Sequence, residues 1–229
     1  MPTVPHRPAY PHEVLAVVLQ VRGGRLEVLL WQRAEEPYAG HWALPGGDLG
    51  ADERLGSSVA RHLAAKVDVT EIAHLEQLET RSDPGRDPRI RVVATAYVGL
   101  IPTETEPLVP DDTAWHPVEK LPPMAFDHGS IIESGRARLR AKLSYTSIGF
   151  ALAPAEFSMS QLRDVYSAAL GHQVSATNLQ RVLVRRGVLV RTEGTAAPSP
   201  AGGRPATMFR FRERRLVVTD EFPALRPRQ

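Results

Sequence analysis

Residues 44–69 place polar side chains at a spacing that suits phosphate chemistry. A Gly46-Gly47 turn leads to Glu53, and a stretch with the apolar periodicity of a helix follows. Mg²⁺ prefers oxygen ligands, commonly one or two carboxylates together with water and substrate phosphates. Two adjacent carboxylates, with a third one turn earlier, would place such ligands on one helix face. On the predicted helix Ala65 offers no ligand and Lys66 would repel the ion, so the glycine turn suits a phosphate whereas the end of the helix does not suit a metal.

The same segment resembles the Nudix box, in which the pattern is Gly, five residues, Glu, seven residues, Arg-Glu, two residues, Glu-Glu, one residue and Gly. Three residues fall in register: Gly47, Glu53 and Arg61. Three others stand where the family has carboxylates: His62, Ala65 and Lys66. Four nearby acidic residues lie outside the required register: Asp48, Asp52, Asp68 and Glu71. A chance match of a glycine turn before a helix is the alternative explanation.

The flanking segments favour the Nudix resemblance. Glu13–Leu19 and Leu26–Gln32 read as a hairpin around Arg22-Gly23-Gly24. Glu53–Lys66 is helical by pattern, with Leu55, Val59, His62 and Leu63 on one face, and Arg91–Ile101 has the composition of a buried strand. The run from Trp42 through Leu44-Pro45-Gly46-Gly47 also resembles the family, and the similarity extends from Glu13 to Leu121.

Composition and charge indicate two modules. The chain has 229 residues and no cysteine, which excludes disulfides, zinc thiolate sites and thiol catalysis. We find no apolar run long enough for a membrane span and no signal peptide, and we expect a soluble, cytoplasmic protein. Residues 144–229 contain 12 Arg and no Lys against 6 acidic residues, whereas the rest has 16 basic and 20 acidic residues. A basic C-terminal module suits a polyanion, although a genome rich in G and C explains the arginines equally well.

The C-terminal module has the element order of a winged helix. Ser160–Leu170 reads as a helix with Leu162, Val165, Tyr166 and Ala169 inward, and Ala176–Arg186 as a second helix between Ser175 and Gly187. Strands Val188–Thr192 and Ala206–Arg212 follow, joined by a loop of small residues. The second helix of such a module enters the major groove, and its apolar stripe is Leu179, Val182 and Leu183. The candidate DNA contacts are Thr177, Asn178, Arg181, Arg185 and, on the wing, Arg204. A dimerisation or substrate-capping module is the alternative.

A helix connects the two modules. Gly129–Leu143 is predicted to begin at a capping Asp127 and to bury Ile131, Ile132, Leu139 and Leu143. Its basic residues are predicted to form a solvated face rather than a DNA surface: Arg136, Arg138, Arg140 and Lys142.

The whole chain resembles the NrtR family of Nudix-related transcriptional regulators. The second module carries that resemblance in Phe157–Leu162, Asn178-Leu179-Gln180-Arg181 and Gly202–Phe211. It implies an α+β protein, a Nudix α/β/α sandwich at 13–143 followed by a winged helix-turn-helix domain at 144–220, with tails at 1–12 and 221–229. It also implies a homodimeric repressor of NAD biosynthesis or salvage genes that binds a palindromic operator in double-stranded DNA. The effector would be ADP-ribose or a related NAD-derived nucleotide, and neither a metal nor a cofactor would be required.

Five residues are candidate effector contacts: Arg33, Trp42, Arg81, Asp87 and Arg89. The segment Arg81–Arg89 resembles the loop before the central strand of ADP-ribose-binding Nudix proteins, in which Arg would pair with phosphate oxygens and Asp would accept from ribose hydroxyls. A solvated polar loop is the alternative for this segment, and core packing is the alternative for Trp42. Two other functions stay open: an active Nudix pyrophosphohydrolase with displaced metal ligands, and a protein-interaction module.

Overall fold

The computed structural model describes residues 9–195 and 206–220. In chain order its elements are β1 His12–Arg22, β2 Arg25–Gln32, β3 Trp42–Ala43, β4 Gly46–Asp48, α1 Leu55–Val67, β5 His74–Arg81, β6 Val93–Leu100, β7 Thr113–Pro117, α2 His128–Tyr145, a 3-10 helix Ile148–Ala151, β8 Phe157–Ser158, α3 Met159–Leu170, α4 Ala176–Arg185, β9 Leu189–Thr195 and β10 Thr207–Phe211. No helix in these ranges is long and apolar enough to cross a bilayer.

The first seven strands form one mixed sheet. Its main path is β3-β2-β1-β6-β5, with β4 paired to β1 and β7 paired to β2. The central pair, β1 and β6, is parallel over His12–Leu19 and Val93–Leu100, and the other pairs are antiparallel. The predicted hairpin is confirmed: β1 and β2 pair around Gly23 and Gly24, both at positive φ.

Helices cover both faces of this sheet, which confirms the α/β/α sandwich. Successive side chains of a strand point to opposite faces, and β1 divides its residues accordingly. Val14, Ala16 and Val18 belong to one core with α1, whereas Leu15, Val17 and Leu19 belong to a second core with α2. Burial on both faces explains why β1 is apolar along most of its length. Helix α2 approaches the sheet closely, since a Cβ on Gly135 would lie 2.9 Å from Val17 Cγ1.

The winged helix is also confirmed. Strands β8, β10 and β9 form a three-stranded antiparallel sheet beside α3 and α4. The four predicted inward residues of α3 are buried, as are Leu179 and Leu183 of α4, whereas Val182 is only half-buried. Helix α3 begins with a capping box formed by Ser158 and Gln161, and Gly171 ends it at φ +74°.

Two predictions about α2 hold only in part. Asp127 occupies the N-cap position but makes no side-chain cap hydrogen bond, because its carboxylate accepts from Arg86 instead. The basic residues of α2 do not form a free solvated face. Lys142 Nζ lies 2.8 Å from the Glu76 carboxylate, and Arg136 lies 2.8 Å from that of Glu119.

Candidate ligand site and nucleic-acid interface

The Nudix-box residues Glu53 and Arg61 form a bidentate ion pair at the start of α1. Arg61 donates to both carboxylate oxygens of Glu53 at 2.8 Å, and the Gly50 N–H donates to Glu53 at 3.2 Å. These bonds, those from Arg61 foremost, lower the pKa of Glu53 to about 2. Arg61 also donates to the Asp48 carbonyl at 3.2 Å. The pair therefore fastens the loop Asp48–Glu53 to the helix.

His62, at the first of the three carboxylate positions, is a packing residue. Its ring is buried beneath Gly47, where a Cβ would lie 2.5 Å from Cε1. Its Nε2 lies 3.0 Å from the Asp48 carbonyl oxygen. Asp68 stands at the final glycine position of the pattern and ends α1 at φ +52°, a conformation that Asp tolerates better than most residues.

A second histidine holds the turn before Gly46 from the other side of the sheet. The Leu44 N–H donates to His128 Nδ1 at 3.0 Å, so the buried ring is neutral and protonated on Nε2. Burial lowers the pKa of His128 to about 3. The turn is thus attached to α1 through His62 and Arg61 and to α2 through His128.

Lys66 and Arg33 both lie near the indole ring of Trp31. The Lys66 ammonium lies 4.6 Å from the centre of the Trp31 ring, and the Arg33 guanidinium lies 5.9 Å from it. Lys66 is half-buried, and burial, then Arg33, lowers its pKa, while Glu13 and Asp48 oppose that shift. Glu13 and Asp48 are cross-strand partners on β1 and β4.

The loop after β5 is anchored by Arg86. Its side chain is 2% exposed and donates to Glu13 and to both carboxylate oxygens of Asp127, at 2.9 and 3.3 Å. Next to it, Arg89 donates to both oxygens of Asp87, at 3.0 and 2.7 Å. These hydrogen bonds lower the pKa of Asp87. Arg86 therefore joins the loop to the central strand β1 and to the start of α2.

An aromatic pair lies beside these cations. Phe126 packs edge to face against Tyr38 with ring centres 4.9 Å apart, and both residues have positive φ, +51° and +70°. Aromatic residues rarely adopt this conformation, and such backbone strain is concentrated at functional sites. Arg33 and Arg89 approach the Phe126 ring at 4.9 and 5.9 Å.

The five predicted effector contacts are not all brought together. Arg33 and Arg89 meet at Phe126, and Asp87 orients Arg89. Arg81 lies at the end of β5 and donates instead to Glu79 and to Ser134 of α2, at 2.7 and 3.3 Å. Trp42 packs against the core on the α2 face, with its ring 4.3 Å from that of His116.

Sequence reasoning missed five neighbours of this cluster: Glu13, Tyr38, Lys66, Arg86 and Phe126. The sequence could have pointed to Arg86, because it lies inside the Arg- and Asp-rich loop Arg81–Arg89. The others come from separate elements that only the tertiary fold brings together.

Helix α4 presents a polar face to solvent. Thr177, Asn178, Arg181 and Arg185 are exposed, opposite the buried Leu179 and Leu183. Ser175 caps the helix by accepting from the Asn178 N–H, and Arg181 Nη2 donates to Asn178 Oδ1 at 2.8 Å. At the other end, Arg186 donates to the carbonyls of Leu143 and Ser144, so the end of α4 is fastened to the end of α2. Arg204, the predicted wing residue, lies outside the described residues.

Comparison with known proteins supports both halves of this architecture. A model of the NUDIX domain matches residues 10–134, and a model of the NrtR DNA-binding winged helix domain matches residues 149–211. Fold and sites therefore define a Nudix domain joined to a winged-helix DNA-binding domain. The ADPR responsive transcriptional repressor NtrR of Acinetobacter baylyi is 31% identical over 88% of this chain and 83% of its own length. The chain belongs to the NrtR family of regulators.

Two solved structures of Shewanella oneidensis NrtR are similar to this chain. The NrtR complexed with a 27mer DNA is 30% identical with a TM-score of 0.72, covering 87% of this chain and 93% of that one. Its isolated NUDIX domain complexed with ADP ribose is 36% identical with a TM-score of 0.51, covering 58% of this chain and 90% of that one.

Proposed function

We propose that this protein is a DNA-binding repressor of NAD biosynthesis or salvage genes that responds to ADP-ribose or a related NAD-derived nucleotide. The main support is similarity over most of the chain to an ADPR responsive transcriptional repressor, together with the matches of this chain to the NUDIX domain and to the NrtR winged helix domain. Residues 13–143 would form the effector domain and 144–220 the DNA-binding domain, with tails at 1–12 and 221–229. A homodimer would place two winged helices on a palindromic operator.

The exposed face of α4 is the surface that we propose reads the DNA bases. Asn suits adenine and Arg suits guanine in the major groove, and both side chain types stand on the solvent side of this helix. The mutual hydrogen bond of Asn178 and Arg181 orders both groups before DNA arrives. Thr177, Arg185 and Arg204 are proposed as further contacts, Arg204 from the wing.

The proposed effector site is the cluster of Arg33, Arg89, Phe126 and Tyr38, with Asp87 orienting Arg89. Guanidinium groups pair with phosphate oxygens, and aromatic rings offer a stacking surface for a base. Trp42 and Arg81 were predicted to contribute, but their contacts in the fold favour a structural role for Trp42 and a peripheral role for Arg81.

We further propose that the effector is bound without being hydrolysed. The positions at which the Nudix pattern supplies metal-binding carboxylates hold His62, Ala65 and Lys66. A ligand that is not consumed can report its own concentration, and it regulates only if it binds the free and DNA-bound forms with different affinity.

Fluorescence anisotropy with DNA from upstream of NAD-synthesis genes tests the proposal. We expect specific binding at moderate salt and a change in affinity on adding ADP-ribose. Arg181→Ala should cost about 1–3 kcal/mol at the base that it contacts, whereas Arg54→Ala, an exposed arginine at the start of α1, should not. Absence of specific binding would refute the repressor. Turnover of ADP-ribose with Mg²⁺ or Mn²⁺ at roughly 1 per second or faster would show an active pyrophosphohydrolase instead.

A further inference from the structure

We propose that the Lys66 ammonium takes the place of a divalent metal, so that the Nudix domain binds a diphosphate ligand without Mg²⁺. This inference rests on the proposed function, because it assigns a counter-ion for the diphosphate of the same effector.

The residues at the family's metal positions do not fit a metal ion. His62 is turned beneath Gly47, with Nε2 directed at the Asp48 carbonyl. Ala65 has no donor atom, and both carboxylate oxygens of Glu53 accept from Arg61. Within residues 9–195 and 206–220, no three His, Asp or Glu side chains are grouped to hold a metal.

A cation nevertheless stands at the last of these positions. Lys66 is half-buried on the face of α1 that meets the sheet, with Nζ 4.6 Å from the centre of the Trp31 ring. The guanidinium of Arg33 lies 5.9 Å from the centre of the same ring. Among the described residues, neither cation forms a salt bridge with a carboxylate.

Two like charges on one indole ring repel each other. Burial is the largest cause that lowers the pKa of the Lys66 ammonium, and the positive charge of Arg33 lowers it further. Of the two carboxylates that oppose this shift, Glu13 also accepts from Arg86, whereas Asp48 acts on Lys66 through its charge alone. A polyanion beside Trp31 would relieve the repulsion, and partial burial would strengthen its attraction to both cations. A diphosphate carries several negative charges and can pair with more than one cation.

Isothermal titration of the full chain with ADP-ribose, in EDTA and in Mg²⁺, provides the test. We expect equal affinity in both buffers for the wild type. Lys66→Met keeps the packing on Trp31 and should lose about 10- to 100-fold in affinity, which corresponds to one charged hydrogen bond. Lys66→Arg should retain most of the binding, and Lys120→Met, at an exposed lysine of the same domain, should retain all of it. Lys66→Glu should bind weakly in EDTA and recover partly in Mg²⁺.

Two further titrations separate this inference from the proposed function. Adenosine, which has no phosphate, should bind the wild type and Lys66→Met equally, whereas inorganic pyrophosphate in EDTA should bind only the wild type. A wild type that binds ADP-ribose only with Mg²⁺, or a Lys66→Met variant with unchanged affinity, overturns the inference and leaves the effector intact. A wild type that binds pyrophosphate but not ADP-ribose overturns the proposed effector and leaves the role of Lys66 intact.

Discussion

Gly47 and His62 occupy adjoining space, so each restricts the other. A Cβ at residue 47 would lie 2.5 Å from the buried imidazole, which its bond to Asp48 holds in place. We expect Gly47→Ala to lower the free energy of unfolding by about 1–3 kcal/mol through overpacking. Urea unfolding would measure this loss. The same change made in a His62→Ala chain should cost clearly less, and an equal cost in both backgrounds would show that the ring is not the obstacle.

Gly56 provides the matched control for that experiment. It lies in α1, and apart from its chain neighbours and the backbone of the helix itself no atom is within 4 Å of a Cβ built on it. Gly56→Ala should therefore raise stability by roughly 0.5–1 kcal/mol, since alanine loses less backbone entropy in a helix.

His128 makes stability depend on pH below neutrality. Its folded pKa of about 3 lies below the ordinary value of 6.5, and burial is the main cause. Between these two pH values His128 is protonated in the unfolded chain but stays neutral in the folded chain. The free energy of unfolding therefore falls as pH falls from about 6.5 towards 3, and is not reduced by this group above 6.5. The limiting slope is about 1.4 kcal/mol per pH unit.

His128→Asn should isolate this contribution, because the Asn carbonyl can accept from Leu44 N–H but does not titrate. Urea unfolding at pH 7.5, 6.5 and 5.0 would measure it. We expect the variant to lose about 1–2 kcal/mol less than the wild type between pH 6.5 and 5.0. Identical pH profiles would mean that another group carries the dependence.

Among the elements, α4 depends on a single side-chain cap. Ser175 accepts from the Asn178 N–H at the end of the helix that carries Thr177 and Asn178. We expect Ser175→Ala to cost about 0.5–2 kcal/mol and to weaken DNA binding, since the proposed reading end would fray. Amide hydrogen exchange in the first turn of α4 should increase. Ser175→Thr, which keeps the hydroxyl, should restore both properties, and protection unchanged in Ser175→Ala would contradict this role.

Local sequence signals were sufficient to predict the two helices of the winged helix. Periodicity found α3 and α4, and Ser175 and Gly171 mark ends that the chain itself encodes. At Asp127 the same reasoning found the N-cap position but not the bonding of the side chain, because Arg86 of a distant loop binds the carboxylate. The sequence did not predict strand β5, because the strand is polar and mostly only half-buried; its Glu76 pairs with Arg138 and Lys142 of α2.

At the scale of the molecule, the sequence identified both domains but only part of the candidate site. The loop Arg81–Arg89 and residue Arg33 were found by resemblance, and their pairing at Phe126 depends on three separate loops meeting. Positive φ at Tyr38 and Phe126 has no sequence signature, since neither residue is glycine or asparagine. Lys66 was recognised as a lost ligand, whereas its contact with Trp31 required the packed helix and sheet.

One core joins the two domains, so they should unfold together. Residues from the Nudix sheet, α2 and the winged helix belong to the same buried cluster. Phe150, at the start of the second domain, packs edge to face against His74 of β5 with ring centres 6.3 Å apart. All three tryptophans lie in the Nudix domain, so their fluorescence reports that domain alone, whereas far-UV circular dichroism reports both. We expect coincident urea transitions in the wild type.

Phe150→Ala should cost about 3–5 kcal/mol and separate the two curves, because it removes contacts between the domains. Phe211→Ala, inside the winged helix, should instead move both midpoints down together. A Phe211→Ala chain in which circular dichroism shifts and tryptophan fluorescence does not would show that the domains fold independently.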